Sequence, residues 1–111
     1  MDSNIPSEIL SKAFLNAGNI MGLTPDELSQ VINCDISQLK QINPESEEGI
    51  RALYFIRSYK KLYGMLNGDE EELKLWMKGY NTGTGGIPSQ QVQEKDIAGL
   101  THVMEYLEAM P

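Results

Sequence analysis

Between residues 51 and 107 the chain alternates helix-period segments with glycine and proline at set places, and that punctuation limits what it can fold into. A stretch opening on Arg51-Ala52-Leu53 closes at Leu66-Asn67-Gly68. Trp76-Met77 follow, then Tyr80-Asn81, Gly85-Gly86-Ile87-Pro88, Gly99-Leu100 and Val103-Met104-Glu105-Tyr106-Leu107. Glycine and proline are the poorest residues for a helix interior, so each break ends one helix and prepares the next. Helices this short are marginal alone in water and must pack on one another. The single tryptophan, Trp76, is a natural core anchor. The expectation is an all-α, compact multi-helix domain.

The preceding stretch reads as three short helices. In the first, Ile9, Leu10, Ala13, Phe14, Ala17, Ile20 and Met21 fall on one helical face, with Pro6 suited to its first turn and Gly22 to its end. Thr24-Pro25-Asp26-Glu27 combines an N-cap, a proline at the first helical position and a glutamate three residues after the cap. That is a capping box. The helix it opens buries Leu28, Val31 and Ile32 and stops at Asn33, a residue that tolerates left-handed backbone. Asp35 is placed to cap a third helix with Ile36, Leu39 and Ile42 inward, ended by Asn43-Pro44.

The longest helix is expected near residues 46–66, with Glu47 and Glu48 in the first turn where the helix dipole favours acid. Phe55, Ile56, Tyr59, Leu62, Tyr63 and Leu66 form its apolar face, and Arg57, Lys60 and Lys61 gather opposite. That basic stripe is either a solvated face or a grip for a DNA backbone or an acidic partner. Asp69 then caps a short helix, with Glu72 completing a second capping box and Leu73, Trp76 and Met77 inward. Residues 79–86 are glycine-rich, yet no strand precedes them and no Lys-Ser/Thr pair follows, so they do not make a phosphate-binding loop. Pro88 opens another short helix. The last helix, near residues 96–109, buries Leu100, Val103, Met104 and Leu107 and turns His102, Glu105 and Glu108 outward.

Apolar residues make up 41% of the 111, enough for a core. Length allows one domain, or two helical subdomains sharing one core, and dimerisation would add stability to so small a chain. The lone Cys34 excludes an internal disulfide framework and fits a reducing compartment. No apolar run reaches membrane-spanning length and no basic-then-apolar leader opens the chain, so a soluble cytoplasmic protein is expected. His102 has no second ligand nearby in sequence, and neither it nor the acidic clusters form a catalytic or metal motif. No enzyme, cofactor or metal site is expected.

The order and spacing of the marks over residues 51–107 resemble the C-terminal domain of the Xre/MbcA/ParS-type antitoxins. The upstream pattern, Leu23-Thr24-x-x-Glu27-Leu28-x-x-x-Ile32 continuing to Leu39, resembles an Xre-like helix-turn-helix. The resemblance implies residues 1–45 as the helix-turn-helix region and 46–111 as the toxin-binding domain. It departs from the family at Ile87, where a small polar residue often precedes the proline, so a weaker cap is expected there. It also implies an antitoxin of a type II system that occludes the active site of a RES-domain, NAD-degrading toxin, acts as a homodimer and represses its own operon. Toxin contact would fall on residues from about 82 onward, with Glu105, Glu108 and the carboxylate of Pro111 meeting basic groups in the toxin cleft.

DNA contact would fall on Ser37, Gln38, Lys40 and Gln41, the outward positions of the third helix. Gln38 and Gln41 can bond adenine edges, and Lys40 can meet phosphate or guanine. Charge opposes this reading. The net charge is −7, and residues 1–45 hold only Lys12 and Lys40 against six acidic residues, whereas DNA affinity rests on cations that displace counterions from phosphate. Two other classes therefore stay open: an orphan helix-turn-helix regulator, and a protein-interaction module without DNA binding.

Overall fold

The computed structural model describes residues 5–111; Asp2, counted in the charge above, and the first four residues of the segment read as leaderless lie outside them. The helices are α1 (Ser7–Ile20), α2 (Pro25–Ile32), α3 (Glu47–Met65), α4 (Glu70–Lys78), α5 (Pro88–Gln91) and α6 (Ile97–Glu108), with one 3-10 turn, Ile36–Gln38, between α2 and α3. The all-α expectation holds. None of these helices is long and apolar enough to cross a membrane.

Helix α3 is the axis of the molecule, and α1, α2 and α6 pack around it while α5 bridges α4 and α6. Ser46 starts it by accepting the Gly49 N–H at 3.1 Å, and Glu47 and Glu48 occupy the first turn. Its buried stripe is Arg51, Ala52, Phe55, Ser58 and Leu62. Phe55 meets Phe14 of α1 edge-on with ring centroids 5.3 Å apart, a favoured aromatic geometry. One continuous apolar cluster runs from Leu10 to Leu107, so both halves of the chain share one core.

Local signals fix most helix ends. The Thr24–Glu27 capping box forms in both directions, and Asn33 ends α2 in the left-handed region at φ 60°. Asp69 accepts from Glu71 and Glu72 backbone N–H groups, which is half of the box its sequence suggested. Pro88 opens α5 behind Ile87, which supplies no side-chain cap. Asp96 caps α6 through the Ala98 N–H. At Gly99 the start of α6 crosses the end of α5 so closely that a Cβ would collide with the Gln91 carbonyl oxygen.

The third helix differs from expectation. Residues 33–46 hold only the 3-10 turn, Asp35 makes no side-chain cap, and Ile36 is 50% exposed rather than inward. The physical reason lies on α1. Ser11 Oγ accepts the Ile42 N–H at 2.8 Å and Ser7 Oγ donates to the Ile42 carbonyl at 2.8 Å. Two hydroxyls one helical turn apart thus take both backbone groups of Ile42 out of any helical ladder, while Leu39 and Ile42 still reach the core. Three further side chains read as inward face solvent: Ile9, 57% exposed, Tyr63, 43% exposed, and Ala13. On α1, Ser11 and Gly18 take the buried places that Ile9 and Ala13 leave. Trp76 is half-buried against the core, with Leu73 and Met77 fully inside.

Candidate functional site

The glycine-rich segment after α4 and the outer face of α6 are built into one surface. Asn81 and Gly86 close a tight loop through a backbone bridge, and Gly85 takes φ +79° within it, a conformation glycine adopts without strain. Thr84 is the buried tip of this loop, its N–H held by Asn81 Oδ1 at 3.0 Å. The Thr84 carbonyl accepts twice, from Gln91 Nε2 at 2.8 Å and from His102 Nε2 at 2.8 Å. A carbonyl only accepts, so His102 carries its proton on Nε2 here. One turn further along α6, the Tyr106 ring lies against Gly83, where any Cβ would strike the phenol. His102 and Tyr106 therefore hold the loop, leaving Thr82, Gly83 and Gly85 exposed.

The end of α6 is fastened to α3. Arg57 forms a forked pair with Glu108, Nε to Oε2 at 3.0 Å and a terminal guanidinium nitrogen to Oε1 at 2.7 Å. Lys61 Nζ donates to the Met110 carbonyl at 2.8 Å. The guanidinium of Arg57 also sits 5.8 Å from the centre of the Tyr54 ring. Two members of the basic stripe thus act within the molecule, and Lys60 stays exposed beside them. The pair is half-exposed, with side-chain accessibilities of 52% and 36%, so it orients the tail more than it stabilises the fold.

Residues 62–110, a span that contains this loop and tail, match the family model described as the antitoxin Xre/MbcA/ParS C-terminal toxin-binding domain. Over this span the chain is similar to the toxin-binding domain of that antitoxin family. The match begins inside α3 and takes in α4, α5 and α6. No curated protein matches the chain.

The three residues singled out from the sequence lie along the last helix and the tail that follows it. Glu105 and Pro111 are exposed, whereas Glu108 is exposed but already engaged by Arg57. Loop residues 82–85 reach α6 through His102 and Tyr106, on the flank away from Arg57 and Glu108.

The four residues proposed for DNA do not share one face. All are exposed, but Gln38 and Gln41 border a small hollow with Cys34, Asn43, Ser46 and Glu48. Ser37 and Lys40 border another with Leu15, Pro25 and Ile36. No helix carries them as a reading element, because Ser37 and Gln38 lie in the 3-10 turn and Lys40 and Gln41 in the turn after it. Cys34 beside them is a poor nucleophile: burial pushes its thiol above the ordinary value, and the negative charges of Glu48 and Asp35 add to this.

Sequence reading missed the residue that ties α3 to the end of α2 and to the segment before α6. Arg51 is 1% exposed. Its Nε donates to the Val31 carbonyl at 2.8 Å, and its two terminal nitrogens donate to the Lys95 and Glu94 carbonyls at 3.3 and 2.8 Å. Burial lowers the guanidinium from its usual value, with Glu47 and then Asp96 opposing that shift. A signal existed: Arg51 lies four residues before Phe55, in phase with the buried stripe. A long cation at such a position requires several acceptors.

Proposed function

We propose that the chain is the antitoxin of a bacterial type II toxin–antitoxin pair, and that it neutralises a RES-type toxin by covering the cleft in which the toxin consumes NAD. The observation that carries this reading is the family match over residues 62–110. The loop at residues 82–85 and the outer face of α6 give it a surface, with Glu105, Glu108 and Pro111 as toxin contacts. An acidic, exposed edge suits a cleft lined with the cations that hold a dinucleotide phosphate. Glu108 arrives at such a cleft already paired, so a toxin cation must take it from Arg57.

The proposal includes homodimerisation and a cytoplasmic location, and it gives the chain no catalytic role. Operator binding through Ser37, Gln38, Lys40 and Gln41 is a separate proposal supported by resemblance alone. Alanine at these four positions is expected to abolish a mobility shift on the chain's own promoter fragment; no shift by the unmodified protein, alone or with toxin, would remove it. The main test mixes the protein with a RES-type toxin and follows NAD. Full arrest at equimolar protein is expected, and undiminished consumption in excess would overturn the reading.

A further inference from the structure

Away from the loop and tail, one surface combines exposed apolar side chains with the only cations of its half. Two adjoining hollows that share Leu15 and Lys40 run between the outer face of α1 and the 36–40 segment. Ile9 and Ile36, 57% and 50% exposed, line one each. Lys12 and Lys40 are the only basic residues among residues 1–45, and both border the first hollow together with Glu8. Isolated apolar residues on a surface need no explanation, but a strip of them rimmed by charge marks a contact site.

The charge order on this strip names the occupant. Glu8 and Lys12 lie one turn apart on α1, with Ile9 between them in sequence, so the face is acidic toward one end and basic toward the other. A second α1 laid antiparallel on the first sets Glu8 of each copy against Lys12 of the other. A two-fold contact requires this kind of self-complementarity, in which residue i meets j and j meets i. A parallel arrangement would instead set like charges against each other. We propose that this α1 face is the contact between two copies of the chain, paired antiparallel about a two-fold axis, with Ile9, Leu15 and Ile36 supplying the apolar area. The net charge of −7 on each copy opposes association, so the local Glu8–Lys12 pairs and the apolar strip must overcome it. The inference rests on the homodimer part of the proposal above and is independent of the toxin.

Charge exchange provides the test, because Glu8, Ile9 and Lys12 are all exposed and the changes leave the core intact. Sedimentation equilibrium of the full chain is run on the unmodified protein, on Glu8→Lys, on Lys12→Glu, and on the two variants mixed one to one. The unmodified protein is expected to be a dimer and each variant alone to associate at least about tenfold more weakly, one decade per 1.4 kcal/mol. The mixture is expected to dimerise again, since each like-charge clash becomes an opposite-charge pair. Variants that dimerise as the unmodified protein does, or a mixture that stays monomeric, would overturn the α1 assignment while leaving homodimerisation standing. A monomeric unmodified protein would overturn both.

Discussion

Two connectors, residues 33–46 before α3 and residues 79–96 between α4 and α6 with the single turn of α5 inside it, are held in opposite ways. The first borrows the order of its centre, while Asn43 bonds Glu45 and Ser46 locally at its end. Ile42 is clamped by Ser7 and Ser11, which lie 35 and 31 residues away in the chain, and its own turn contributes three residues of 3-10 helix. The second supplies most of its order itself. Asn81 bonds Thr84 and Gly86, and Gln91 reaches Thr84 seven residues back; His102 adds one bond from 18 residues on. Arg51 joins them, taking one carbonyl just before the first connector and two inside the second. A connector that borrows its order forms only when the tertiary structure does, whereas a self-held one can survive local loosening elsewhere.

This contrast can be broken by substitution, and the largest expected effect is at the residue shared by both. Arg51→Met strands the carbonyls of Val31, Glu94 and Lys95, and a loss of at least about 3 kcal/mol is expected from chemical denaturation, since a single bond to a charged group is worth about 1.5–3. Arg51→Lys recovers less than half of it, because an ammonium cannot reproduce the fork. A loss below about 1 kcal/mol on Arg51→Met would break the account of Arg51 as the joint.

Ser11→Ala comes next, at about 1–2 kcal/mol, because it leaves the buried Ile42 N–H unpaired. Faster amide exchange at Ile42 with residues 79–96 unchanged is the expected pattern. Loosening of both connectors together would erase the distinction between them. Asn81→Ala is expected to cost about 1 kcal/mol and to speed exchange at the Thr84 amide while sparing 33–46.

The smallest effect is a pH dependence just upstream of the first connector. Backbone bonding at Thr24 is the main cause holding the Glu27 carboxyl below its ordinary value, and the Lys78 ammonium adds to it. A depressed carboxylate stabilises the fold above its unfolded value of about 4.5, and that contribution disappears as pH falls through the lower folded value. Glu27→Gln keeps an acceptor for the Thr24 N–H and removes this acid-side dependence. An unchanged pH profile between Glu27→Gln and the unmodified protein over that range would contradict the assignment.

What could be read in the sequence follows the same division. The α2 capping box, the Asn33 stop, Pro88 at the head of α5 and the buried seam of α6 are written in residues within a few positions of one another, and each was legible. The third helix was not, because the hydroxyls that prevent it sit on α1 and nothing near Ile42 announces them. Ile9 fits a helical period, but which face of α1 turns inward was decided by packing on α3, and Ile36 lost its inward place with the helix that did not form. Arg51 had a local signal in its phase with Phe55, while its partners at Glu94 and Lys95 lie more than forty residues on. For the candidate site, Glu105 and Glu108 were recognisable as outward, yet the Arg57–Glu108 pair and the loop held by His102 and Tyr106 needed the fold.

The central claim is that the loop and tail of the C-terminal domain meet the toxin and the 36–41 segment does not. Backbone amide shifts of isotope-labelled protein, titrated with a RES-type toxin, test this most directly. The account predicts that the largest changes fall on residues 82–85 and 102–111, with residues 36–41 little affected. Changes centred on residues 36–41, with 82–111 unmoved, would contradict it.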